Sequence, residues 1–286
     1  GVTINDDNTF TGPIHVATGT ITRNVVWSNN RTYYVRGDIS LNSTKVLVIP
    51  AGRIVKVERN VNIYISGSLI STGTADSGIF YTDYRDDTVG GDTNGDGGAT
   101  SPVMGWWRGI YIADSATANI SYTQIRYSTG VYSASISPYY MAPVVKIGAG
   151  TFSLTNSTIT NSSGFGVWAQ NTSGALTITE NSITNNGSYG INLVNAAGSV
   201  SVSTNTIANN GGSGIYSDNS SPAIVNNTVT NNGSFGLYVT GTALPVAVSA
   251  NTFTGNTPGP VGAAADSSGV TINDDNTFTG PIHVAT

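Results

Sequence analysis

The chain has 286 residues, of which 38% are hydrophobic and only 9% charged, with Gly, Asn, Ser and Thr abundant. Its Val, Ile, Thr and Tyr content excludes a disordered chain and points to a regular β core beneath an uncharged polar surface. A net charge of −5 argues against a nucleic-acid partner, the lack of Cys excludes disulfides and thiolate metal sites, and no apolar run reaches the ~18 residues of a membrane span. All eleven Lys and Arg lie between Arg23 and Lys146, so the entire −5 belongs to the second half.

The first element is also the last. GVTINDDNTFTGPIHVAT occupies Gly1–Thr18 and recurs unchanged as Gly269–Thr286. An identity of this length predicts a tandem array of near-identical units, seen here as one unit, Gly1–Ser268, and the start of the next. Phe10, Phe278 and Ile272 are the apolar residues expected to seal the junction. The two ends carry no evident cap and are expected to meet further copies of the chain.

Residues 20–150 read as long, less regular strands, such as KVLVIPAGRIVKV at Lys45–Val57, interrupted by inserted loops over 83–105 and 127–143. The first loop contains DDTVGGDTNGDG at Asp86–Gly97. Asp92, Asn94 and Asp96 place oxygens at loop positions 1, 3 and 5 with Gly97 at 6, a spacing that suits the hard, oxygen-rich shell of Ca²⁺. The twelfth position is Val103 rather than Glu, so this is no EF-hand, and Asp86 or Asp87 is expected to complete the shell. Trp106 and Trp107 follow, and the second loop is rich in Tyr; exposed aromatics of this kind mark either a lateral or glycan contact or a cover over the core.

Over 151–286 the pattern becomes regular. Ile159, Ile183, Ile207, Val229, Phe253 and Phe278 recur at a nearly fixed step of about two dozen residues, the period of a solenoid coil. Each coil reads as three short parallel strands. In Val200–Tyr216, Val200, Val202, Ile207 and Ile215 point inward, Asn205 and Asn209–Asn210 turn corners, and Gly214 serves a third. Thr and Ser flank the central hydrophobe, as in Thr158-x-Thr160 and Thr252-x-Thr254, giving an outward hydroxyl ladder of the kind an ice-binding face uses. Ten Asn-x-Ser/Thr sequons, at Asn30, Asn42, Asn119, Asn156, Asn161, Asn171, Asn186, Asn219, Asn226 and Asn232, offer glycosylation sites on a secreted chain.

These coils resemble the right-handed parallel β-helix proteins of the pectin-lyase-like class, in particular tandem-repeat surface proteins. The resemblance implies an all-β solenoid running through 1–286 and an extracellular or cell-surface structural role as a fibre or stalk. Alternatives are a carbohydrate-binding adhesin stalk, a polysaccharide-degrading enzyme and an ice-binding solenoid. Catalysis is not expected. The regular half lacks the Arg or Lys base of the lyases, and Glu58 and Glu180, the only glutamates, lie several coils apart. Asp6, Asp7 and His15 echo hydrolase residues, but they are one repeat position seen again at Asp274, Asp275 and His283.

Overall fold

The computed structural model describes residues 12–133, 136–242, 246–265, 267 and 269–284. Their strands stack into three parallel sheets of 11, 11 and 10 strands, with no helix among the described residues. The chain visits the sheets in rotation. In one coil Val200–Ser203 lies in sheet 3, Thr206–Ala208 in sheet 1 and Ile215–Asp218 in sheet 2.

Each strand pairs with the equivalent strand one coil away, which turns the sequence period into columns. The predicted hydrophobes do stack, Ile159 on Ile183, Ile183 on Ile207, Ile207 on Val229, Val229 on Phe253 and Phe253 on Phe278. Val200, Val202, Ile207 and Ile215 are buried in one continuous core. At ~1.5–3 kcal/mol per buried side chain, each added coil contributes strongly once its neighbour is in place.

The corners correct the expectation in two respects. The left-handed backbone and the inward side chain belong to different members of each Asn pair. Asn209 has φ +56°, whereas its successor Asn210 is buried. At the preceding corner Thr204 takes the left-handed position (φ +56°) and Asn205 turns inward. Gly214 does not serve a third corner. It closes the corner that Asn209 opens, where a Cβ would meet Val229 Cγ1 at 2.4 Å. The third corner follows the sheet 2 strand, at Asn195 and Asn219.

The inward asparagines form two internal ladders, Asn181–Asn205–Asn227–Asn251–Asn276 and Asn186–Asn210–Asn232–Asn256. Each Nδ2 donates to the next Oδ1 at 2.9–3.0 Å, and the same Oδ1 accepts the preceding residue's backbone N–H, as Asn205 Oδ1 does from Asn181. A side chain with two donors and two lone pairs suits a corner where strand hydrogen bonding is broken.

Two insertions leave the solenoid. The segment between strands Ile79–Asp83 and Gly109–Ile112 folds over the outer face of sheet 1, burying Tyr34 and Lys56. Tyr34 stacks on Tyr84 at 5.4 Å, and Arg85 lies 3.3 Å from the Trp106 ring centroid. The second insertion, expected as a loop, contains an antiparallel hairpin, Val131–Ser133 with Ile136–Tyr140.

Candidate metal centre

The acidic loop is held by its own turns. Asp92 accepts backbone N–H groups from Gly95 (2.7 Å), Asp96 (3.2 Å) and Gly97 (2.8 Å). Asp96 accepts the Thr100 hydroxyl, Asn94 Nδ2 (2.8 Å) and the N–H groups of Gly98, Ala99 and Thr100. The Thr100 hydroxyl, with the backbone donors behind it, holds the Asp96 carboxyl below its usual range.

One oxygen from each of Asp87, Asp92 and Asp96 lies within 4.8 Å of the others. Ca²⁺–O distances of about 2.3–2.6 Å put two oxygens on one ion at most about 5 Å apart, so the three can share a cation. Asp87 Oδ1 and Asn94 Oδ1 are buried without a hydrogen-bond partner, as acceptors prepared for a cation would be. The residues therefore fit Ca²⁺ chemically. Asn94 sits in the cluster, although its Nδ2 rather than its Oδ1 faces Asp96.

Asp86 does not join them. It is fully buried, ion-paired with Arg126 at 2.6 Å and hydrogen-bonded to Thr82 and Thr88. Its oxygens are taken by a partner several strands away in the chain, which corrects its expected place in the shell. Buried Lys56 donates to the Gly91 carbonyl at 2.5 Å. Desolvation lowers its pKa and the neighbouring Asp87 opposes that shift.

The other expected sites separate. Phe10 lies outside the described residues. Phe278 is half-buried and stacked on Phe253, and half-buried Ile272 pairs with Val248. Asn30, Asn42, Asn119, Asn171 and Asn226 are exposed, while Asn156, Asn161 and Asn219 are half-buried. Asn186 and Asn232 are not available to a glycan, because both are ladder residues only 2% exposed.

A family model for right-handed β-helix regions matches residues 108–278, more than half the chain. The chain belongs to the right-handed β-helix family. No curated protein sequence matches this β-helix. Among solved structures, it aligns with the Dettilon tailspike protein at 12% identity (TM-score 0.42), covering 96% of this chain and 62% of the tailspike. It also aligns with the periplasmic alginate epimerase AlgG at 13% identity (TM-score 0.25; 92% of this chain, 78% of that one). The A-module of the Azotobacter vinelandii mannuronan C-5 epimerase AlgE6 aligns at 11% identity (TM-score 0.28; 96% and 89%). The β-helix thus spans under two thirds of the tailspike.

These neighbours correct one expectation. The chain is read from sequence as a non-enzyme, yet the aligned structures include alginate epimerases, so the exclusion of catalysis does not stand. At these identities the likeness speaks for the fold alone and assigns no reaction to this β-helix.

Two features escape the sequence reading. On the outer face of sheet 2, Phe165, Tyr189, Tyr216 and Tyr238 stack along the β-helix axis, with Tyr189 and Tyr216 parallel at 4.8 Å. Recurrence of aromatics at two coil positions three residues apart, Phe165 and Tyr189 at one and Tyr216 and Tyr238 at the other, was the available signal. Their ring faces are spent on one another, which disfavours a flat sugar platform. Inside, Lys146 is 1% exposed and donates to the carbonyls of Ala113, Ala116, Ile147 and Ala149. Burial pushes its pKa down to about 8.

Proposed function

We propose that this β-helix is a structural, extracellular rod segment that stacks end to end with further copies of itself. The observation that carries the reading is the exact recurrence of Gly1–Thr18 as Gly269–Thr286 along a single continuous solenoid. Among the described residues the apolar core runs from half-buried Ile14, Val16 and Val25 to half-buried Val270, Ile272 and Phe278. The repeated terminal segment supplies the matching sequence at each end.

Asp87, Asp92 and Asp96, assisted by Asn94, hold one structural Ca²⁺ in this reading, stiffening the loop that covers sheet 1. A site this exposed suits the roughly 0.1–1 mM affinities of extracellular modules. Electron microscopy of concentrated protein tests the rod. Eleven coils at ~4.8 Å predict straight filaments with an axial repeat of roughly 50 Å. Beads on flexible linkers, or a monomer at all concentrations, refute it.

A carbohydrate-binding stalk is the second reading. A cleft of about 360 Å³ between Arg31 and Asp92, with Asn30, Thr32 and Thr93 on its walls, favours it as a place for a polar ligand. Saturable binding on a glycan array, lost in Arg31→Ala, supports that reading, and its absence retires it.

A further inference from the structure

Four asparagines of this chain are followed directly by glycine: Asn94, Asn186, Asn210 and Asn232. Such a pair is chemically labile, because glycine has no side chain to keep its backbone nitrogen away from the preceding carboxamide. Whether a given pair reacts depends on how firmly the fold holds those two groups, and the fold treats the four very differently.

Three of them belong to the second asparagine ladder. Asn186, Asn210 and Asn232 are buried, and each carboxamide is fixed on both sides. Their Oδ1 atoms accept the backbone N–H of Ser162, Asn186 and Asn210 in turn at 3.1 Å, and their Nδ2 atoms donate to the next ladder Oδ1 at 2.9–3.0 Å. The glycine nitrogens are spent as well. Gly187, Gly211 and Gly233 donate at 2.8 Å to the carbonyls of Ser162, Asn186 and Asn210. A Cβ on any of these glycines would meet a carbonyl oxygen of the neighbouring coil at 2.3–2.4 Å, so the backbone has no room to turn. Ring closure there requires a coil to open.

Asn94–Gly95 stands apart. It lies in the first insertion, outside the stacked coils, with Gly95 exposed and nothing within 4 Å of where its Cβ would be. The Gly95 N–H donates to Asp92 Oδ1 at 2.7 Å, so a carboxylate already draws on the proton that this nitrogen must lose. Asn94 Oδ1 has no hydrogen-bond partner, and Nδ2, the nitrogen that must leave, donates to Asp96 Oδ2 (2.8 Å) and Thr100 Oγ1 (2.9 Å). Those partners belong to the same loop, where hydrogen bonds exchange with water at small net cost.

We propose that Asn94 is a self-modification site, which cyclises onto Gly95 and hydrolyses to aspartate or isoaspartate. The Gly95 nitrogen attacks Asn94 Cγ. A Cγ–N bond forms, the Cγ–Nδ2 bond breaks, and ammonia leaves with the proton that the Gly95 nitrogen gives up. Water then adds to one of the two carbonyls of the imide ring and opens it, giving aspartate by one route and isoaspartate by the other. The net change is water in and ammonia out, with nothing oxidised or reduced. The product carries one more negative charge in the loop that holds Asp87, Asp92 and Asp96, and the isoaspartate route also adds a methylene to the loop backbone. The site depends neither on end-to-end stacking nor on a bound cation.

The test is to age the folded chain at mildly alkaline pH and locate, by peptide mass spectrometry, the mass gain of an amide becoming an acid. Asn94 should convert at least about tenfold faster than Asn186, Asn210 and Asn232, which react only through local opening. In denaturant, where the coils no longer restrain them, all four should convert at similar rates. Asn94→Gln, whose longer arm closes a larger ring slowly, should remove the fast phase of ammonia release from the folded chain. Equal rates at the four sites of the folded chain would overturn the assignment. So would an Asn94 that survives under conditions that convert it in denaturant, or a fast ammonia release unchanged in Asn94→Gln.

Discussion

Asn205→Ala tests what holds the coils together. In the native chain Asn205 Oδ1 accepts both the backbone N–H (2.9 Å) and Nδ2 (3.0 Å) of Asn181, while its Nδ2 donates to the Ile178 carbonyl (2.8 Å) and to Asn227 Oδ1 (2.9 Å). Truncation strands the Asn181 N–H entirely and takes one partner from Asn181 Nδ2, the Ile178 carbonyl and Asn227 Oδ1. One fully orphaned buried donor, three weakened groups and a small void, at ~1–3 kcal/mol for each unsatisfied group, give a loss of roughly 3–6 kcal/mol. Guanidinium denaturation of the variant measures it, against Ser201→Ala on the outward side of the adjoining strand, where a change within about 0.5 kcal/mol is expected. Asn276→Ala should cost less than Asn205→Ala, because Asn276 is half-buried and among the described residues its Nδ2 donates to carbonyls and not to a further ladder asparagine. A loss for Asn205→Ala within about 1 kcal/mol of the Ser201 control would refute the reasoning.

Chelation of Ca²⁺ should lower the melting temperature, and millimolar Ca²⁺ should restore it by mass action. Asp87→Asn should remove that response, whereas a response that survives in the variant places the ion elsewhere. Lys146 titrates near pH 8 when folded against 10.5 ordinarily. The unfolded chain therefore binds the extra proton between those values, and stability rises with pH from about 8 by at most about 3 kcal/mol. Above pH 10 the buried tyrosines oppose that gain, Tyr216 being pushed up to about 12, so the rise is read between pH 8 and 10 and should vanish in Lys146→Met. Thr204, β-branched at φ +56°, carries a backbone penalty that Asn156 and Asn226 avoid at the same corner. Thr204→Asn should stabilise the chain by about 1 kcal/mol in thermal unfolding, and a loss would show that the Thr side chain contributes more than its backbone costs.

The β-helix is legible because its core repeats at a fixed step. Ile159, Ile183, Ile207 and Val229 mark one column in the sequence before any coordinate is known. Asn209 and Asn210 show where legibility stops. Two adjacent identical residues divide left-handed turn and buried ladder between them, and only the path of the backbone decides which does which. The loop carboxylates show the same limit. Asp86 and Asp87 are equivalent in a spacing pattern, but Arg126 reaches only the first, because an inserted loop folds back across sheet 1. Lys146 lies inside because its ammonium meets a ring of corner carbonyls, which no local motif encodes. The duplicated ends mislead most. Identical sequence promised identical placement, yet Ile14–Val16 lies in sheet 1 and His283–Val284 in sheet 2.

The direction of the ladders also governs how the rod answers a pull. Sheet hydrogen bonds, asparagine ladders and the tyrosine stack all run along its axis, so tension at the two ends loads them lengthwise, one coil boundary at a time, rather than in shear. A coil that lets go releases roughly two dozen residues, which extend to about 80 Å where the folded coil spanned ~4.8 Å. Because each coil contacts only its neighbours, the remainder keeps its structure and the freed coil has a template on which to rewind. Such a solenoid yields in discrete steps when stretched, so it lengthens under load before it breaks.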